Sequence, residues 1–166
     1  MIARLKLLAL LAGCAVGLSA CGFKPLYGQS ALTSNMGAIE VIAPEGRTGY
    51  LIQGHMEDAL ARNRGVPPAY RMNLQLAEAR YPRGVRVDNV ATRYEYVLTA
   101  AYTLTSVASG ATAKAGRVRV ELTYDSADQP YASIAAQQDA QDRAAQEAAR
   151  RIQLELAVWF ANGEKS

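Results

Sequence analysis

The chain of 166 residues sets 18 Lys and Arg against 15 Asp and Glu, is half hydrophobic, and holds one histidine and two cysteines. One histidine with two isolated cysteines leaves no His/Cys metal site and no Cys–His nucleophile to assemble. If residues 1–20 are an export segment, Arg4 and Lys6 leave with it and 146 residues at a formal +1 remain. That is enough chain for one core and too little charge for general nucleic-acid affinity.

The export reading starts from Arg4 and Lys6, followed by an apolar run from Leu7 to Leu18. This is the charged region and apolar core of a secretory signal, and it falls short of the about 20 residues that span a bilayer. Leu18-Ser19-Ala20-Cys21 resembles a bacterial lipoprotein box, which implies that Cys21 is acylated and begins the mature protein. Leu11-Ala12-Gly13-Cys14 fits the same pattern, but cleavage there would leave only Leu7 to Leu11 as the apolar core, below the roughly 7 residues required. Cys21 is therefore the expected lipidation site. Residues 1–20 are expected as signal peptide, 21–35 as acylated N-terminus and tether, and 36–166 as a single domain.

Within that domain Ile39, Val41 and Ala43 alternate with polar positions as a short strand that stops at Pro44. Thr48 is an expected N-cap for a helix to about Asn63, carrying Ile52, Met56, Ala59 and Leu60 on one face, and Pro67-Pro68 follows its end. Tyr70, Met72, Leu74 and Leu76 alternate with Arg71, Asn73 and Gln75 as a half-buried strand, and Tyr81-Pro82-Arg83-Gly84 is expected to turn the chain. A long alternation follows from Arg93 to Val107, then a hairpin turn at Ser109-Gly110, then a strand carrying Val118, Val120, Leu122 and Tyr124.

From Pro130 to about Asn162 no proline or glycine interrupts, and Ile134, Ala144, Ala145, Ala148, Ile152, Leu156, Trp159 and Phe160 form one helical stripe. The fold class expected is α+β: a two-layer sandwich in which two helices pack on one face of a four-stranded, mostly antiparallel sheet, with the other face polar.

Candidate chemistry is sparse. His55 falls mid-helix with no activating partner in sequence, and Asp125 and Asp128 read as helix-start residues. The tyrosines at 70, 94, 96, 102, 124 and 131 fall mostly on core-facing phases. Arg80, Arg83 and Arg86 surround the expected turn, while Arg93, Arg117 and Arg119 lie on outward phases of the next strands. These six are either a solvated face or an anion site, since the planar fork of arginine suits phosphate.

Cys21-Gly22-Phe23-Lys24-Pro25-Leu26-Tyr27-Gly28, then Ala91-Thr92-Arg93, Ser109-Gly110, Tyr124, and Tyr131-Ala132 leading to Asp139-Ala140 and Arg143, together resemble the lipopolysaccharide-assembly lipoprotein (LptE) family of alphaproteobacterial type. The resemblance covers nearly all of the mature chain and implies the same two helices on a four-stranded sheet. It also implies an outer-membrane lipoprotein held at the membrane by its lipid, and with no nucleophile, base or metal set visible among the residues a non-enzymatic role without cofactor or metal is expected. Such a protein plugs the lumen of the large β-barrel lipopolysaccharide translocon, assists the barrel's assembly and contacts lipopolysaccharide. Charge placement makes Arg80, Arg83, Arg86, Arg93, Arg117 and Arg119 the candidate lipopolysaccharide contacts. The alternative is an outer-membrane lipoprotein that binds an anionic or lipid ligand on its own as an accessory of lipid transport.

Overall fold

A computed structural model describes residues 30–85, 91–126 and 129–163. After a first helix, α1 (Ser30–Gly37), come strand β1 (Ile39–Ile42), helix α2 (Arg47–Ala59), strands β2 (Tyr70–Val85), β3 (Ala91–Ser106) and β4 (Thr112–Asp125), and the long helix α3 (Pro130–Ala161). The sheet order is β1-β2-β3-β4. β1 pairs parallel with β2 from Ile39↔Tyr70 to Ile42↔Asn73, with α2 as the crossover, and the other two pairings are antiparallel.

Strand parity divides the sheet into two faces. Even-numbered residues of β2, β3 and β4 turn toward the helices, so Met72, Leu74, Leu98, Ala100, Tyr102, Leu104, Val118 and Val120 join Ile39, Ile52, Met56, Ile152 and Leu156 in one core. Helix and sheet match in length, since 32 helical residues extend about 48 Å and 16 strand residues about 53 Å. The middle of α3 can lie close to the sheet because Ala140, Ala144, Ala145, Ala148 and Ala149 are all buried there. Its bulky end supplies Trp159 and Phe160, whose rings meet Tyr70 edge-on at centroid distances of 6.1 and 5.7 Å.

Several expectations change. Three helices are present among the described residues, not two. The added one, α1, occupies part of the segment expected as tether, and it is anchored because Met36 is buried and the Gly37 carbonyl accepts from Asn63 N and Arg62 Nη1. The N-cap of α2 is Gly46, at a φ of 110°, while Thr48 is buried inside the first turn. Tyr131 and Ile134 are exposed rather than core residues.

The largest change concerns the expected turn at Tyr81–Gly84, which lies inside β2: Tyr81, Pro82 and Arg83 pair with Glu95, Tyr94 and Arg93. Proline is tolerated there because β1 pairs β2 only as far as Asn73, and among the described residues the rest of β2 is an edge that needs no donor. The Ser109-Gly110 hairpin is as expected, with Gly110 at a φ of 68° and its N–H on the Ser106 carbonyl.

Candidate functional site

Because β2 continues straight through residues 81–84, parity decides where its arginines go. Arg80 is even and lies on the helix side, where it donates to Gln137 Oε1 of α3 at 2.7 Å and stacks over the Tyr94 ring at 4.7 Å. It fastens the first half of α3 to the sheet and cannot share a site with Arg83, which is on the opposite face. Arg86 and Cys21 lie outside the described residues.

Arg83, Arg93, Arg117 and Arg119 do share the open face. Arg83 and Arg93 are direct cross-strand partners, a like-charge pair that would be unfavourable without neutralisation. Each has a carboxylate: Arg83 Nε donates to Glu95 at 2.9 Å and Arg93 Nε to Asp125 at 2.8 Å. Arg119 lies six residues back along β4 from Asp125, about 20 Å away at strand spacing. Its Nε donates to Glu121 at 2.6 Å. Arg117 alone of the four has no ion pair or hydrogen bond among the described residues. It borders a shallow groove of about 360 Å³ whose floor is Gln75, Ala77, Thr99 and Ala101. Around this groove the open face is a floor of glutamine, alanine and threonine, with charged pairs toward its margins and exposed Tyr81 farther along β2.

A second basic cluster went unnoticed in the sequence although Arg143 was in view. Arg143, Glu147, Arg150 and Arg151 recur at helical spacing on the flank of α3 that overlooks β4. With Val120, Glu121, Leu122 and Gln146 they line a groove of about 550 Å³. Arg150 Nε and Arg151 Nε both donate to Glu147, at 2.9 and 2.7 Å, and Arg143 pairs with Asp139 at 2.7 Å. The hydrogen bond from Arg150, then that from Arg151, holds the Glu147 carboxyl down at about 2. Arg151 also reaches over the sheet edge and donates from Nη1 to the Arg119 carbonyl at 2.9 Å.

The buried tyrosines hold carboxylates, Tyr96 within the sheet and Tyr102 between the sheet and α3. Tyr96 Oη donates to Glu78 at 2.6 Å and Tyr102 Oη to Glu155 at 2.7 Å; burial, then these carboxylates, push both phenols well above their ordinary value. His55 Nε2 meets Asp142 at 2.8 Å, tying α2 to α3, a partner that the sequence did not reveal. These arrangements offer paired charges and open grooves, which suit recognition.

The lipopolysaccharide-assembly family LptE matches residues 36–156. A crystal structure of a candidate lipoprotein from Caulobacter crescentus shares 50% identity, covering 82% of this chain and all of that one at a TM-score of 0.71. Rare lipoprotein B from Shewanella oneidensis, at 11% identity, TM-score 0.58 and coverages of 76% and 97%, has the same fold. So does lipoprotein B from Nitrosomonas europaea, at 15%, 0.57, 75% and 84%. A comparison with curated proteins finds no match. With the family's features running through 36–156, from the end of α1 to Leu156 in the core of α3, the chain belongs to the LptE lipopolysaccharide-assembly family.

Proposed function

We propose that this is an outer-membrane lipoprotein, anchored through acylated Cys21, that plugs the lumen of the β-barrel lipopolysaccharide translocon, assists its assembly and contacts lipopolysaccharide. Family membership over residues 36–156 supports assembly of lipopolysaccharide as the process. The observation carrying the plug is the open sheet face: a floor of Gln75, Ala77, Thr99 and Ala101 with ion pairs around it is the polar, low-relief surface that a polar lumen accommodates. The grooves beside Arg117 and along α3 are open at the surface, which suits contact with a partner. On this reading Arg83, Arg93, Arg117 and Arg119 form the lipopolysaccharide-facing set, with Arg80 assigned to packing.

Detergent extraction tests the plug. The lipoprotein should leave the membrane in a stable complex with the barrel, and cells lacking it should accumulate misassembled barrel. Normal assembly and extraction of the barrel without the lipoprotein would refute the plug and leave the lone-ligand alternative standing.

A further inference from the structure

The outer edge of β4 invites a different kind of partner. An edge strand presents alternating unpaired N–H and C=O groups, and proteins ordinarily cover or interrupt them. Two long edges are open among the described residues. That of β2 beyond Asn73 carries Pro82, which has no N–H, and Gly84 in a left-handed conformation. β4 carries neither interruption from Arg117 to Asp125 and is the last strand on its side. One acceptor of this edge, the Arg119 carbonyl, already takes a donor from Arg151 of α3, which an added strand would have to displace or accommodate.

Beside this edge the flank of α3 forms a stripe. Arg143, Glu147 and Arg150 stand over the middle of β4, and Leu154 and Val158, both partly exposed, continue the stripe toward Lys114 in a further groove of about 390 Å³. A strand added to β4 would therefore lie under α3, its inward side chains meeting cations first and aliphatic groups beyond.

We propose that β4 is completed by an extended segment of a partner chain that is acidic opposite Arg143 and Arg150 and apolar opposite Leu154 and Val158. Charge selects this occupant. Asp139 matches Arg143, Glu121 matches Arg119, and Glu147 neutralises only one of Arg150 and Arg151, so the groove keeps one positive charge in excess. A second copy of this chain, paired β4 to β4, would set two such arginine groups facing each other. The chain's own residues 1–29 carry Arg4, Lys6 and Lys24 and no acid, and so do not supply the complement. A strand suits the site better than a lipid phosphate because it satisfies backbone donors and acceptors together, which is how strand addition gains affinity. The inference stands apart from the plug reading, which concerns the open face.

The test uses the mature lipoprotein in detergent micelles. The probe is a synthetic peptide with Thr at alternate positions and the intervening positions Glu over one half and Val over the other. Its binding should slow hydrogen exchange of β4 backbone amides between Lys114 and Tyr124. A counterpart with Lys for Glu should bind about tenfold more weakly or worse, and Arg143→Gln with Arg150→Gln should cost the Glu peptide a similar factor while near-ultraviolet circular dichroism stays unchanged. Arg143→Lys with Arg150→Lys should largely restore binding. No binding, or binding without added protection in β4, overturns the proposal. Protection of β4 that rises with lipoprotein concentration in the absence of peptide would assign the edge to a second copy and overturn it equally.

Discussion

Gly116 faces Tyr102 across the β3–β4 ladder, and replacing it with alanine tests how tightly the core is closed. A Cβ at 116 would stand 2.5 Å from Tyr102 Oη and 2.6 Å from Cε1 and Cζ, far inside contact distance. The ring cannot retreat freely, because Tyr102 is 2% exposed and its hydroxyl is held by Glu155. Overpacking of this kind costs about 1–3 kcal/mol. Moving the ring also disturbs a hydrogen bond to a carboxylate, worth about 1.5–3 kcal/mol if lost whole but less here because water can replace it at the exposed Glu155. Relief of glycine's backbone entropy returns about 0.5–1 kcal/mol. The net expectation for Gly116→Ala is a loss of about 2–3 kcal/mol. At about 3–5 °C per kcal/mol for a domain of roughly 130 residues, the Tm should fall by about 6–15 °C in a circular dichroism melt. Tyr102→Leu in the same background should recover part of the loss, giving a coupling that the two single variants do not sum to. A Tm within about 2 °C of the parent, or strict additivity with Tyr102→Leu, would refute the reasoning.

Trp159→Ala should cost about 3–5 kcal/mol in denaturant unfolding, since the ring is 3% exposed between Tyr70 and Phe160. Trp159→Phe should cost far less, because a phenyl ring keeps most of the apolar contact with Tyr70 and Phe160 and, among the described residues, the indole Nε1 has no hydrogen-bond partner. Gly49→Ala, which in an open helix would gain about 1 kcal/mol, should instead destabilise, as its Cβ would fall 1.9 Å from the Pro44 carbonyl oxygen; an unchanged or raised Tm would contradict the tight entry into α2. Alkali should unfold the protein progressively above pH about 10. There the unfolded chain releases tyrosine protons that folded Tyr96 and Tyr102 retain, so stability falls as pH rises toward the folded-state values. Absorbance at 295 nm should therefore show two phenols titrating only together with the loss of circular dichroism.

Most of the fold was legible because its signals are periodic. Alternation from Tyr94 to Leu104 and the stripe from Ala144 to Phe160 each report one buried face, and burial of one face is what holds a strand or an amphipathic helix in place. What failed was local punctuation. Tyr-Pro-Arg-Gly has turn chemistry, yet the ladder from Tyr81↔Glu95 to Arg83↔Arg93 outweighed it on an edge where proline forfeits nothing. That one misreading spread to the site, for around a turn Arg80 and Arg83 could meet, whereas three positions apart on a strand they take opposite faces. The His55–Asp142 and Tyr102–Glu155 contacts were illegible for another reason: they join residues 87 and 53 positions apart, and no local pattern encodes such pairs.

The same geometry ranks the open-face arginines. Arg83, Arg93 and Arg119 are already matched to Glu95, Asp125 and Glu121, so a phosphate approaching any of them meets an almost neutral pair. Such exposed pairs are worth no more than about 1 kcal/mol, and they can exchange partners at little cost, but the displaced carboxylate stays nearby and offsets the gain. Arg117 has no such carboxylate among the described residues and stands beside the floor of Gln75 and Thr99, whose polar groups can complete a phosphate's hydrogen bonds. Arg117→Ala should therefore weaken lipopolysaccharide binding and flatten its salt dependence. The charge-neutral double variant Arg93→Ala with Asp125→Ala should leave both nearly unchanged. Titration of the purified lipoprotein with lipopolysaccharide at several ionic strengths compares them directly. Equal losses in the two variants would mean that the ion pairs themselves, and not the unmatched charge of Arg117, hold the ligand.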